Sequence, residues 1–215
     1  MKARVLILYI MQDSGHHAAA RYIEAALQKQ MPAVQTRCVD LLKHTHPKWE
    51  RIVQRMYMRT VRRTPELWEA LYDNFWVEYL THRLLELVQR CKSESLRRLM
   101  AEFDPQAVVC TQAYPLAVMS SFVARHVPDL PLFAVTTDFV PHRFWITRSA
   151  HHAKYVVPTE SAAARLMWLG IAQERIRVLG IPVSVDHAPP ARTRSDARDG
   201  RRVLVMGGGL GLGVR

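Results

Sequence analysis

A chain of 215 residues is long enough to bury a full core, as one large domain or two small ones. With 49% hydrophobic and 23% charged residues it is no disordered polymer. Its 30 Lys+Arg against 19 Asp+Glu leave a formal charge of +11, an excess that suggests an anionic partner: nucleic acid, a lipid surface or phosphate esters.

From the start, "RVLILYI" (4–10) predicts a buried strand. The opening "MKARVLILYIM" imitates a short signal peptide, but the apolar run leads straight into Asp13 and a helical pattern, which favours the strand. Ala18 to Gln30 reads as a helix with Ala19, Ile23, Ala26 and Leu27 on one side, and "VQTRCVDL" (34–41) as a second strand. Residues 47–103 are almost wholly helical in pattern, broken near Pro65. "QAVVCT" (106–111) resumes the sheet, and a helix follows from Pro115. "LPLFAVTT" (130–137), "KYVVPT" (154–159) and "RIRVLGI" (175–181) are further strands, with a helix at Ser161–Leu169. Residues 184–201 hold two prolines and many charges and read as a linker. Behind it, "RRVLVMGGGLGLGVR" opens a new strand and a glycine-rich turn, so the chain is expected to be cut short at the start of a second domain.

Cys38, Cys91 and Cys110 are odd in number and far apart, and read as buried thiols of a reducing compartment rather than a metal site. No apolar stretch approaches the roughly 18 residues needed to span a bilayer.

Strands of near-continuous apolar residues alternating with helices predict an α/β fold, a parallel sheet covered on both faces. Ligands of such sheets bind beyond the carboxyl ends of the strands. The turns after 4–10, 106–111 and 130–137 should therefore converge, bringing together Ser14, Gly15, His16, Thr111, Gln112, Thr137 and Asp138.

His16 would sit in a helix's first turn, where the partial positive charge disfavours a protonated ring and leaves a neutral base near pH 7; a merely polar strand terminus is the plainer reading. His17 reads as structural or substrate-lining. Asp138, with His142 and Arg143 four and five residues on, can orient a histidine, hold a substrate hydroxyl or simply cap the next segment. "KHTHPKWERIVQRMYMRTVRR" (43–63) carries the cations Lys43, Lys48, Arg51, Arg55, Arg59, Arg62 and Arg63 against the single acid Glu50. Arg51, Arg55, Arg59 and Arg62 line one side of a helix, with Trp49, Trp68 and Trp76 flanking or following. Three readings stand open: contact with an anionic membrane, a solvated face of a packed helix, and nucleic-acid binding. "MGGGLGLG" (206–213) lets backbone N–H groups approach a phosphate, although it is no clean dinucleotide motif.

Taken in order, "SGHHAAARYIEAAL", "VVCTQAYPLAV", "VTTDFVPHRFW", "YVVPTESAAARLMWLGIAQERIRVLGIPV" and "VLVMGGGLGLG" resemble the monogalactosyl- and glucosyl-diacylglycerol synthases, from residue 4 to the last. The resemblance implies two Rossmann-like domains facing across a cleft, the GT-B arrangement. Residues 1–183 would be the acceptor-binding domain, 184–201 a linker and 202–215 the start of a truncated donor domain. It implies transfer of a hexose from a UDP-sugar to a diacylglycerol-like hydroxyl with inversion, with no cofactor beyond the donor substrate and no metal. His16 matches the family's motif histidine, proposed as the base; Ser14 and Gly15 match the turn before it, and Asp138 and His142 a D-x-x-x-H element. Trp49, Arg51, Arg55, Arg59, Arg62 and Arg63 fall where the family faces the membrane. Gly207, Gly208, Gly209 and Gly211 would approach the donor phosphates. Asp13 departs from the family, which has a glycine or small residue there. The implied partners are an anionic lipid surface, a lipid acceptor and a nucleotide-sugar held by the missing domain, not nucleic acid. The implied location is the cytoplasmic face of the membrane, held peripherally. The rival readings are a two-domain sugar-nucleotide epimerase and a non-enzymatic, basic nucleic-acid-binding module.

Overall fold

The computed structural model describes residues 3–12, 14–45, 93–146 and 152–186. The basic segment 46–92, the tail from 187 and Asp13 lie outside the described residues, and with them Cys91, most of the predicted linker and the glycine-rich turn.

Six strands, β1 (Arg4–Tyr9), β2 (Gln35–Asp40), β3 (Ala107–Cys110), β4 (Leu132–Val135), β5 (Lys154–Val157) and β6 (Ile176–Val178), form one sheet. Its order is β2-β1-β3-β4-β5-β6 and every pairing is parallel. The near-continuous apolar run of β1 has its reason here. β1 is paired on both edges, and Leu6, Ile7 and Leu8 are fully buried. Leu6 and Leu8 face one core, with Leu99, Val108, Leu116 and Leu166; Ile7 and Tyr9 face the other, with Ala20, Val109 and Val135. Each such side chain contributes about 1.5–3 kcal/mol on burial.

Among the described residues the helices are α1 (Gly15–Gln30), α2 (Leu41–Thr45), α3 (Ser93–Phe103), α4 (Ala113–His126) and α5 (Glu160–Trp168), with 3-10 turns at Arg143–Trp145 and Gln173–Arg175. From β1 the chain passes to β2 on one side, then returns past β1 to β3 and continues outward. Crossovers between parallel strands are right-handed, so this reversal of direction puts α1 on one face and α3, α4 and α5 on the other. The core contacts agree, Ala20 of α1 lying in one cluster and Leu99, Leu116 and Leu166 in the other. The reversal also opens a crevice between the carboxyl ends of β1 and β3, the usual ligand position in such sheets.

The six strands predicted between residues 4 and 181 all form, trimmed at their ends; the strand predicted after residue 201 lies outside the described residues. Helix α1 starts earlier than its apolar period, which begins at Ala18. Ser14 caps it, its hydroxyl accepting the His17 N–H at 3.2 Å and donating to the Met11 carbonyl at 2.7 Å. Met11 takes the left-handed conformation, φ 65°, to turn the chain back for that contact. Pro115 stands third in α4 rather than first, still among the four positions whose N–H has no helical partner. Of residues 47–103, Ser93–Phe103 is helical and the remainder lies outside the described residues. Among the described residues no helix is long and apolar enough to cross a membrane.

Candidate active site

At the β1/β3 crevice the imidazole of His16 is held from two strands. Its Nδ1 lies 2.9 Å from the carbonyl oxygen of Thr111, after β3, and 2.8 Å from the hydroxyl of Thr137, after β4. A carbonyl oxygen only accepts, so Nδ1 carries the proton and Nε2 of the neutral ring is a bare lone pair. The Thr111 hydroxyl donates back to the His16 carbonyl at 2.9 Å. One fully buried threonine thus fixes both the backbone and the ring of the histidine.

Burial pushes the His16 pKa below its ordinary value of 6.5, against the opposing pull of the Asp138 carboxylate and the Thr111 carbonyl. The position in the first turn of α1 works in the same direction as burial, because the helix dipole disfavours an imidazolium there. The ring is therefore neutral near pH 7, with a base-competent nitrogen.

Asp138 emerges at the carboxyl end of β4. Its Oδ2 accepts the indole N–H of Trp145 at 2.7 Å and lies 3.8 Å from Nε2 of His142. Simple capping does not describe it: the N-cap position of the following 3-10 turn is His142, which gives no side-chain capping bond. Gln112 ties the crevice from beneath, its side-chain oxygen accepting the Ile10 N–H at 3.2 Å.

The turns after β1, β3 and β4 thus converge as the apolar pattern requires. Within the group the roles divide. Ser14 is occupied by its cap. His17 stacks on Tyr9 with ring centroids 4.5 Å apart. Gly15 is exposed, and a Cβ placed on it would meet nothing within 4 Å. Next to Asp138, Phe139 and Val140 are exposed at 64% and 61%, an apolar rim beside polar groups. Trp145 is the residue that sequence reasoning passed over. The only signal was its place seven residues after Asp138, and a chain pattern does not reveal where an indole N–H points. Trp49, Arg51, Arg55, Arg59, Arg62 and Arg63 lie outside the described residues, as do Gly207, Gly208, Gly209 and Gly211. Among the described residues no group of three or more His, Cys, Asp or Glu side chains is placed to hold a metal.

Fold and crevice together define a Rossmann-like α/β domain with a neutral histidine at its ligand edge. The chain belongs to the monogalactosyldiacylglycerol (MGDG) synthase family, whose model matches residues 16–183. It is 25% identical over 181 residues to a processive diacylglycerol beta-glucosyltransferase of Bacillus cytotoxicus, covering 84% of this chain and 45% of that protein. With the processive diacylglycerol beta-glucosyltransferase of Bacillus subtilis it shares 22% over 216 residues, 97% of this chain and 55% of that protein. The uncharacterized glycosyltransferase YkoN of Bacillus subtilis is 22% identical over 214 residues, 99% of this chain and 56% of that protein. The chain spans about half the length of the curated relatives it matches.

Proposed function

We propose that this chain is the acceptor-binding half of a glycolipid-synthesising glycosyltransferase, with His16 as the base. The observation that carries the reading is the 2.9 Å contact between His16 Nδ1 and the Thr111 carbonyl: an oxygen that only accepts requires Nδ1–H, and Nε2 is left to take a proton. In this reading a diacylglycerol-like acceptor enters across Phe139 and Val140, its apolar portion against that rim and its hydroxyl at Nε2. As the hydroxyl oxygen attacks the anomeric carbon of a UDP-hexose, its proton passes to Nε2, the bond from the anomeric carbon to the diphosphate breaks, and the centre inverts. Donor-half dipoles and cations stabilise the departing diphosphate, and Gly207, Gly208, Gly209 and Gly211 are assigned to that contact. Residues 1–183 form the acceptor domain, 184–201 the linker and 202–215 the beginning of the donor domain. The cations Arg51, Arg55, Arg59, Arg62 and Arg63, with Trp49, bring the crevice to an anionic lipid surface on the cytoplasmic side.

The test is transfer from UDP-hexose to diacylglycerol in vesicles, with the donor-binding half supplied on the same or another polypeptide. His16→Ala is expected to lose transfer by about 10²–10⁴-fold while nucleotide binding is unchanged. Turnover within a few-fold of the parent would place the base elsewhere.

A further inference from the structure

Trp145 stands seven positions after Asp138, and between them the chain leaves the sheet edge, bends at Phe139 and Val140 and returns to the core at the Arg143–Trp145 turn. Trp145 is completely buried. Its backbone is gripped from both sides: its N–H donates to the His142 carbonyl at 3.1 Å, and its carbonyl accepts the hydroxyl of the fully buried Tyr155 at 2.9 Å. A buried indole N–H must find a partner or forfeit about 1–3 kcal/mol. Here the partner is the carboxylate of Asp138, at 2.7 Å, and a bond to a charged acceptor is roughly twice as strong as one to a neutral carbonyl. A side chain that only filled volume would ask nothing of Asp138. This one fixes the carboxylate oxygen that also lies 3.8 Å from Nε2 of His142, and so limits the turning of the Asp138 side chain.

We propose that Trp145 is a positioning residue of this site: its buried indole N–H holds the Asp138 carboxylate at the sheet edge, next in the chain to Thr137, whose hydroxyl lies 2.8 Å from Nδ1 of His16. Among the described residues, the groups that face the pair include the following. His16 is faced by the Thr111 carbonyl and Thr137 hydroxyl from β3 and β4, and by His17 next to it on α1, which is engaged with Tyr9. Asp138 is faced by His142, 3.8 Å away, and by the indole. Asp138 is also the charged group that raises the proton affinity of His16 against the effect of burial. Release of the carboxylate therefore lowers that affinity and makes a weaker base. The consequence for transfer rests on the reading of His16 as base; the positioning itself does not.

The experiment is a titration of the His16 ring followed by imidazole ¹⁵N resonances in the chain without substrate. Asp138→Asn is expected to move the His16 midpoint down by about one pH unit, as loss of a nearby opposite charge does. Trp145→Phe should move it in the same direction by a smaller amount, and the double variant no further than Asp138→Asn alone, since the two act through one contact. A folded Trp145→Phe with the wild-type midpoint, or additive shifts, would overturn the proposal. If Trp145→Phe does not fold, the indole N–H of Trp145 is followed instead in the otherwise wild-type chain. Asp138→Asn should shift that resonance upfield and leave the fold intact, and an unmoved indole signal would overturn the proposal equally. Because neither measurement involves sugar transfer, either can succeed where His16→Ala refutes the base assignment, and the reverse.

Discussion

In the proposed reading His16 acts as a base only in its neutral form, and the sign of its pH dependence follows from burial. Its folded-state pKa lies below the usual 6.5, so the ring is deprotonated at neutral pH and protonates only at more acidic pH. Transfer should therefore be independent of this group above 6.5 and fall on an acidic limb whose midpoint lies below that value; a limb centred above it would contradict the assignment. The same shift links to stability. Between the two values the unfolded chain binds more protons than the folded one, so stability is full above 6.5 and declines as pH falls toward the folded-state value. Denaturant unfolding of the parent and His16→Ala on either side of that window should show the dependence reduced in the variant. The thiols behave differently: burial pushes Cys38 up to about 12 and raises Cys110 as well, so both remain protonated and unreactive near neutral pH.

The junction between β1 and α1 shows how an element can be built for its neighbour's chemistry. Ser14 closes the helix, Met11 turns the chain, and His16 lands on the Thr111 carbonyl. Gly15 is the odd member. It lies in a helical turn with open space where a Cβ would be, so nothing in the fold requires a glycine there, and alanine would be the better helix former. Gly15→Ala is accordingly expected to hold or raise stability, by up to about 1 kcal/mol, while impairing acceptor binding or transfer, because a methyl group would occupy space at the mouth beside His16. Thermal unfolding and acceptor affinity measured together check this, and a stabilised variant with unchanged acceptor affinity would show that the glycine has no part in the site.

Over the whole molecule, the formal charge of +11 is concentrated enough in sequence to be tested directly. Each basic residue near an anionic surface contributes about 1 kcal/mol, so Arg55→Glu with Arg59→Glu should weaken co-sedimentation with anionic vesicles by tenfold or more at low salt. Unchanged binding would remove the membrane role from that segment.

The apolar runs and their spacing were enough to determine the α/β class, the parallel sheet and the three turns that meet at its edge, because a strand buried on both faces must be apolar throughout and a crossover helix must show its own period. The strand ends likewise marked Thr111 and Thr137, and the ordered motifs His16 and Asp138. The apolar period of α1 begins only at Ala18, although His16 was expected in the first turn; the cap that sets the start is a contact between Ser14 and the His17 N–H and leaves no trace in hydrophobic periodicity. Only the tertiary structure decided which nitrogen of His16 carries its proton, that Ser14 is occupied by its cap, and that Asp138 is held by the indole of Trp145. Those are directions of hydrogen bonds between segments dozens of residues apart or across a folded turn. Composition and spacing bring such groups into one neighbourhood, but packing alone sets their angles and distances.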